Sequence, residues 1–184
     1  ALNRSWRGRG GSRQDSLASW FDPVFHQTAP HTLSGSHSPI HGTHTMGIMV
    51  GLDSIHGNTY GVAPDAKWIS AGVIDIDGAS IIDAFEWAAD PDGDPNTVND
   101  MPDVINHSWG YEHRYLGCED VVYSMVDATE ALGIVNIFAA GNAGPSDSSI
   151  YNPANRANDS LDCFAAGSLR ITVDPPVVVT SSSR

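Results

Sequence analysis

The sequence predicts an α/β fold, a mostly parallel sheet with helices on both faces. Apolar runs over residues 67–74, 103–109 and 134–140 alternate with stretches of helical periodicity, the order that parallel strands joined by crossover helices require. Glycines follow the last two runs at Gly110 and Gly141, the strand ends where open α/β sheets bind ligands. The helices are also punctuated, with a serine start at Ser80 and stopping glycines at Gly51 and Gly133.

Residues 1–40 read as a loop-rich N-terminal segment packed on the domain, rich in Gly, Ser, Arg, Pro and His. Trp20-Phe21-Asp22-Pro23-Val24 is its one apolar knot. A short helix is expected over about residues 41–51, with Met46, Met49 and Val50 on one face. Residues 67–74 then form a buried strand. Ser80-Ile-Ile-Asp83 has the look of a capping box, and Ile81, Phe85, Ala88 and Ala89 continue it at helical spacing. After the strand at 103–109 comes a helix near 119–132 that turns Val122, Met125, Val126, Thr129 and Leu132 inward. Residues 134–140 and the piece Cys163-Phe-Ala-Ala-Gly167 complete the strands, and no internal repeat is evident.

A chain of 184 residues with 41% apolar and 17% charged residues is globular and long enough for a real core. Its formal charge of -13 is uneven. Arg4, Arg7, Arg9 and Arg13 make the start basic, and we read that start as solvated and poorly ordered rather than as a nucleic-acid arm. The acidic remainder repels nucleic-acid phosphates and anionic lipid, so neither is an expected partner. No apolar run reaches the roughly 20 residues of a membrane span. Residues 1–20 lack the apolar core of a signal peptide, although a chain starting without Met is silent on what precedes it. Cys118 and Cys163 make neither a disulfide framework nor a zinc site. One bridge between them, or two partly buried thiols, are both open. Low lysine content, acidity and few cysteines fit a secreted bacterial enzyme.

Two segments carry the candidate chemistry. His41-Gly-Thr-His44-Thr-Met-Gly47 sets an imidazole at a helix start, where Gly42 leaves room beside the ring. A helix N-terminus also disfavours a positive ring, which suits a general base. Ala139-Ala-Gly-Asn142-Ala-Gly-Pro145 sets an amide on a sharp bend after an apolar strand, placed to donate to a developing oxyanion. Base and oxyanion donor together are half of an acyl-transfer site. His37, His41 and His44 also permit a zinc reading, but Pro39 interrupts the helix before His41 and no Glu stands among them to act as base. His44 is expected beneath the helix, bonded to a backbone carbonyl. Asp90-Pro-Asp-Gly-Asp94, with Asp100 and Asp103 nearby, has the oxygen density of a calcium site. Pro91, Pro95 and the missing bidentate Glu depart from an EF-hand loop, and a solvated acidic insertion is the default. No cofactor is expected beyond that possibility. Gly8-Arg-Gly10-Gly11 lacks the strand and helix of a phosphate loop.

His41-Gly-Thr-His, Gly61-Val-Ala-Pro64-Asp-Ala66, Val104-Ile-Asn-His-Ser-Trp-Gly110 and Ala139-Ala-Gly-Asn142-Ala-Gly-Pro145 occur in the order and approximate spacing of subtilisin-like serine peptidases, which the chain therefore resembles. Trp20-Phe-Asp-Pro23, Asn152-Pro-Ala-Asn155 and Leu161-Asp-Cys-Phe-Ala165 are similar to the bacillopeptidase F-like branch. The resemblance runs from about Asn3 to Arg184 and is vaguest over 168–180. It implies that His41 is the general base and Asn142 the oxyanion amide. Ser108, Trp109 and Gly110 would be the edge that pairs with an extended substrate. Ala139, Ala140 and Gly141 would line a wall of the pocket for the residue before the scissile bond. The partner implied is a protein or peptide substrate.

The departures are as informative. Asp15-Ser-Leu and Asp22-Pro-Val lack the strand and the glycine of the family's Asp-Thr/Ser-Gly context. Nothing after Asn142 resembles its Gly-Thr-Ser-Met-Ala nucleophile context; Ser181-Ser-Ser-Arg184 resembles a segment that precedes the nucleophile. Residues 41–184 are thus expected to be a partial subtilisin-like peptidase domain, nearly inactive alone. Ile40 replaces the usual Gly before the base, and His107 stands where Asn or Met is usual. Two rival readings are a non-catalytic peptide-binding domain derived from a protease and, more weakly, a zinc hydrolase.

Overall fold

In the computed structural model, which describes residues 2–32, 39–76, 80–111, 119–156 and 163–184, the chain divides into two units, Ala1–Pro102 and Asp103–Arg184. The first unit opens with a 3-10 turn, Leu2–Ser5, and a one-turn helix α1, Arg13–Leu17. Ser12 starts α1 through a reciprocal cap: its hydroxyl accepts from the Asp15 N–H at 3.2 Å, and the Asp15 carboxylate accepts from the Ser12 N–H at 2.6 Å. Strand β1, Trp20–Phe21, follows, then α2 (His41–Val50), β2 (Leu52–Asp53), β3 (Asn58–Thr59), β4 (Ser70–Ala71) and α3 (Ile81–Ala89). β1 and β4 run parallel, and a bridge between Trp6 and Trp68 extends their pairing; β2 and β3 form an antiparallel hairpin.

Tryptophans hold this unit together. The Trp6 indole donates to Ser19 O and the Trp68 indole to Leu2 O, both at 3.1 Å. Phe21 stacks on Trp87 of α3 with centroids 5.6 Å apart. The basic start is consequently docked rather than free. Ser5 and Trp6 are buried, Arg4 donates to the carbonyls of Val50 and Pro64, and Arg7 donates to that of Asp100. Burying an indole and satisfying main-chain carbonyls outweighs hydration of the guanidinium groups. The strand expected over 67–74 is also shorter, because only Ser70 and Ala71 find a regular ladder partner.

Helix α2 buries Val50 and half-buries Met46 and Met49, as its spacing predicts. Its orphan C-terminal carbonyls are met by the Gly61-Val-Ala segment. Val62 N–H donates to Ile48 O at 3.1 Å, Ala63 N–H to Met49 O at 2.8 Å, and Gly61 N–H to Gly51 O at 2.7 Å. A Cβ on Gly61 would stand 2.3 Å from the Gly51 nitrogen, so the close approach requires glycine there. Helix α3 starts as expected, with the Ser80 hydroxyl accepting from the Asp83 N–H at 3.2 Å, and it buries Phe85 and Ala88.

The second unit consists of β5 (Val104–His107), α4 (Glu119–Ala131), β6 (Val135–Ala139), β7 (Phe164–Ala166), β8 (Leu169–Arg170) and β9 (Val177–Val178). β5, β6 and β7 form a parallel sheet in that order, pairing Val104 with Val135 and Ile137 with Phe164. β8 and β9 are an antiparallel pair. Pleating separates the residues of each strand onto two faces. His107, Asn136 and Phe138 share the face covered by α4, where Phe138 and Val126 are fully buried. Val104, Val135 and Phe164 occupy the other face and remain exposed.

Candidate active site

The carboxyl ends of β5 and β6 lie side by side, which brings Ser108-Trp109-Gly110 next to the bend at Asn142. Both segments press on one side chain. A Cβ on Gly110 would fall 2.9 Å from Tyr151 Cβ, and one on Gly141 would fall 2.7 Å from Tyr151 Cγ. Gly141 also has φ of +107°, so the bend that presents Asn142 is open to glycine and strained for other residues. Neither requirement involves a partner outside this unit.

Beneath the first segment runs a buried polar relay. The Trp109 indole can only donate, and it lies 3.2 Å from His107 Nδ1. His107 Nε2 must then carry the ring proton, which it donates to Asn136 Oδ1 at 2.9 Å. Asn136 Nδ2 donates in turn to the Thr129 hydroxyl at 3.0 Å, and that hydroxyl reaches the Met125 and Val126 carbonyls of α4. The His107 ring stacks on Phe138 with centroids 4.1 Å apart, and Trp109 meets both rings edge-on. Burial lowers the His107 pKa from 6.5 to about 4, against the opposing effect of the Asn136 bond. Trp109 is therefore held by a neutral imidazole of fixed tautomer. No backbone hydrogen bond among the described residues engages Trp109 or Gly110, whereas Tyr111 pairs with Asn152 in both directions, at 2.7 and 3.0 Å.

The Asn142 side chain is exposed and has no hydrogen-bond partner among the described residues. Its neighbours are tied down by the chain's last residues. Ala143 N–H donates to the Ser183 hydroxyl at 2.9 Å, Gly144 N–H to Ser181 O at 3.1 Å, and Ser183 N–H to Gly141 O at 3.1 Å. Of the three residues expected to form a pocket wall, Ala139 is exposed, Gly141 is half-buried and Ala140 is buried. The Ala140 main chain is spent on structure, its N–H on Ala166 O and its carbonyl on Tyr151 N–H.

His41 is the first residue of α2, in the first unit, with an exposed imidazole and no side-chain cap before it. His44, expected beneath the helix, is exposed instead, because α2 turns Val50 inward and leaves this flank open. His37 and Cys118 lie outside the described residues. Cys163 is buried, its Sγ 3.1 Å from Pro153 O and its N–H bonded to Glu130. Asp22 accepts the Phe25 and Gln27 N–H groups at 2.9 and 3.0 Å, and its Oδ2 lies 3.7 Å from His31 Nε2. Among the described residues, the one group of three acidic, His or Cys side chains close enough to share an ion is Asp90, Asp92 and Asp100.

Sequence comparison decides the family. The pattern of the Subtilase family matches residues 15–171, a span that contains His41, the 108–110 segment and Asn142. The chain belongs to the subtilase family. As a subtilase it is 35% identical to Bacillopeptidase F of Bacillus subtilis (strain 168) over 185 aligned positions, 93% of this chain and 12% of that protein. It is similar in structure to the S41 psychrophilic protease, with TM-score 0.52 and 31% identity over 68% of this chain and 38% of the other. A structure of the subtilase cytotoxin SubAB assembly superposes on all of it with TM-score 0.63, at 18% identity and over 68% of that chain, a likeness of fold. The α/β class with a parallel sheet read from the sequence is thus the subtilase one. The chain spans a small part of Bacillopeptidase F and well under half of the psychrophilic enzyme.

Proposed function

We propose that this subtilase chain is the central part of a serine endopeptidase domain that hydrolyses peptide bonds through an acyl-enzyme. His41 is the general base and Asn142 donates to the oxyanion of the tetrahedral intermediate. Ser108, Trp109 and Gly110 pair with an extended substrate, and the Ala139-Ala140-Gly141 turn borders the pocket for the residue before the scissile bond. The observation that carries the reading is the unspent main chain of Trp109 and Gly110 beside an exposed Asn142 at adjoining parallel strand ends. A substrate strand needs such an edge, with donors and acceptors unpaired and the backbone rigidly held. The relay through His107 supplies the rigidity.

The substrate is a protein or peptide, and the acidic surface speaks against nucleic acid or anionic membrane as partners. Among the described residues no helix is long and apolar enough to cross a membrane. The bacterial relative and the composition favour an extracellular bacterial enzyme. Within its 184 residues neither the Asp nor the Ser context of the family is matched, and the proposed mechanism needs both to be supplied from outside them. A fluorophosphonate that labels nucleophilic serines should therefore modify the full-length product and leave the 184-residue chain unlabelled. Stoichiometric labelling of a serine within these residues would overturn the assignment. Peptide affinity without turnover in the full-length product would favour a protease-derived binding domain instead.

A further inference from the structure

We infer that Tyr151 occupies the pocket for the residue before the scissile bond and restricts that residue to a small side chain such as Gly or Ala. This rests on the peptidase reading proposed above, in which the substrate lies along Ser108-Trp109-Gly110 and the 139–141 turn borders that pocket. All of these residues, Tyr151 included, lie in the second unit. Tyr151 stands against both segments at once. A Cβ on Gly110 would lie 2.9 Å from Tyr151 Cβ and 3.4 Å from its Cδ2, and one on Gly141 would lie 2.7 Å from its Cγ and 2.8 Å from Cδ2. Carbon atoms in contact sit about 3.5–4.0 Å apart, so the tyrosine already takes the space beside each glycine. Cδ2 is near both glycines, which puts one edge of the ring between the strand end and the bend.

The ring is also held where it is. The atoms that press on the glycines are at the root of the side chain, so they cannot swing aside as the tip of a long chain could. The backbone that carries them is tied to both segments. Tyr151 N–H donates to Ala140 O at 3.0 Å, and the next residue, Asn152, exchanges two hydrogen bonds with Tyr111, at 3.0 and 2.7 Å. Tyr151 is only half-buried, so part of it stays open to a bound substrate. A space already holding a fixed aromatic ring accepts a hydrogen or a methyl group. A phenylalanine or leucine side chain there would overpack it, and no neighbouring atom is free to give way. The substrates this selects are polypeptides cleaved after Gly or Ala.

The test is steady-state hydrolysis, by the full-length product, of a peptide series identical except for Gly, Ala, Leu or Phe before the scissile bond. The parent's kcat/KM should be about tenfold or more higher for the Ala peptide than for the Phe peptide, the scale on which an apolar pocket separates side chains by size. Tyr151→Ala should raise kcat/KM for the Phe peptide by about tenfold or more and change that for the Ala peptide less. Tyr151→Phe keeps the ring and should keep the parent's order of preference. A tyrosine with a purely structural role would, on removal, lower the rates of all four peptides alike. The parent series carries the test by itself should Tyr151→Ala not fold. A parent that cleaves after Phe as well as after Ala, or a folded Tyr151→Ala variant with the parent's order, would overturn the inference and leave the peptidase reading standing. A full-length product that neither hydrolyses any of the series nor takes the fluorophosphonate label would overturn that reading, and this inference with it.

Discussion

His107 shows how one side chain links stability to the cleft. Its ring is neutral because burial lowers its pKa to about 4, whereas in the unfolded chain it titrates near 6.5. The unfolded state therefore takes up a proton first as pH falls. The stability the neutral ring confers is complete above pH 6.5 and is lost progressively down to pH 4, by roughly 3 kcal/mol in all. The family resemblance implies Asn or Met at this position, and His107→Asn should flatten the dependence of Tm on pH across that window. A variant as acid-sensitive as the parent would show that another group is responsible. The sequence marked His107 as unusual and placed Asn142 on its bend. The relay itself joins residues 29 positions apart and was not legible, although Asn136 amid the apolar residues 134–140 was a signal of a buried polar partner. The role of Ser183 in fixing the Asn142 bend had no local signature at all.

Elements were legible where they carry strong local chemistry. α2, α3, α4 and the strands β5 to β7 appear where apolar periodicity and caps put them, but Leu132, expected to turn inward, is 51% exposed because α4 ends at Ala131. α1 was missed although its Ser12-x-x-Asp15 cap was present in the sequence, since five residues show no periodicity. The two-residue strands β2, β3, β8 and β9 are set by partners rather than by propensity, so no pattern announced them. Gly61-Val-Ala-Pro64 resembled a family motif, and its physical task is visible only in the fold, where it closes the C-terminal end of α2. Gly61→Ala should push the chain off the Gly51 nitrogen and break those bonds, lowering stability by about 2 kcal/mol or more in a denaturant titration. A loss below about 0.5 kcal/mol, ordinary for a surface change, would mean the segment is not what holds the helix end.

At the scale of the molecule, the residues of the proposed mechanism fall in both units: Ser108, Trp109, Gly110 and Asn142 at adjoining strand ends of the second, and His41 at the start of α2 in the first. Chain order alone placed the motifs, and the parallel register of β5 and β6 explains why two of them meet. In the proposed mechanism Asn142 acts on the transition state. Removing one oxyanion donor, a range itself established on a subtilisin asparagine, lowers kcat by about 10²–10³. Steady-state hydrolysis of a peptide substrate by the full-length product carrying Asn142→Ala should show a fall of that size in kcat with KM little changed. An unaltered kcat in the correctly folded variant would contradict it.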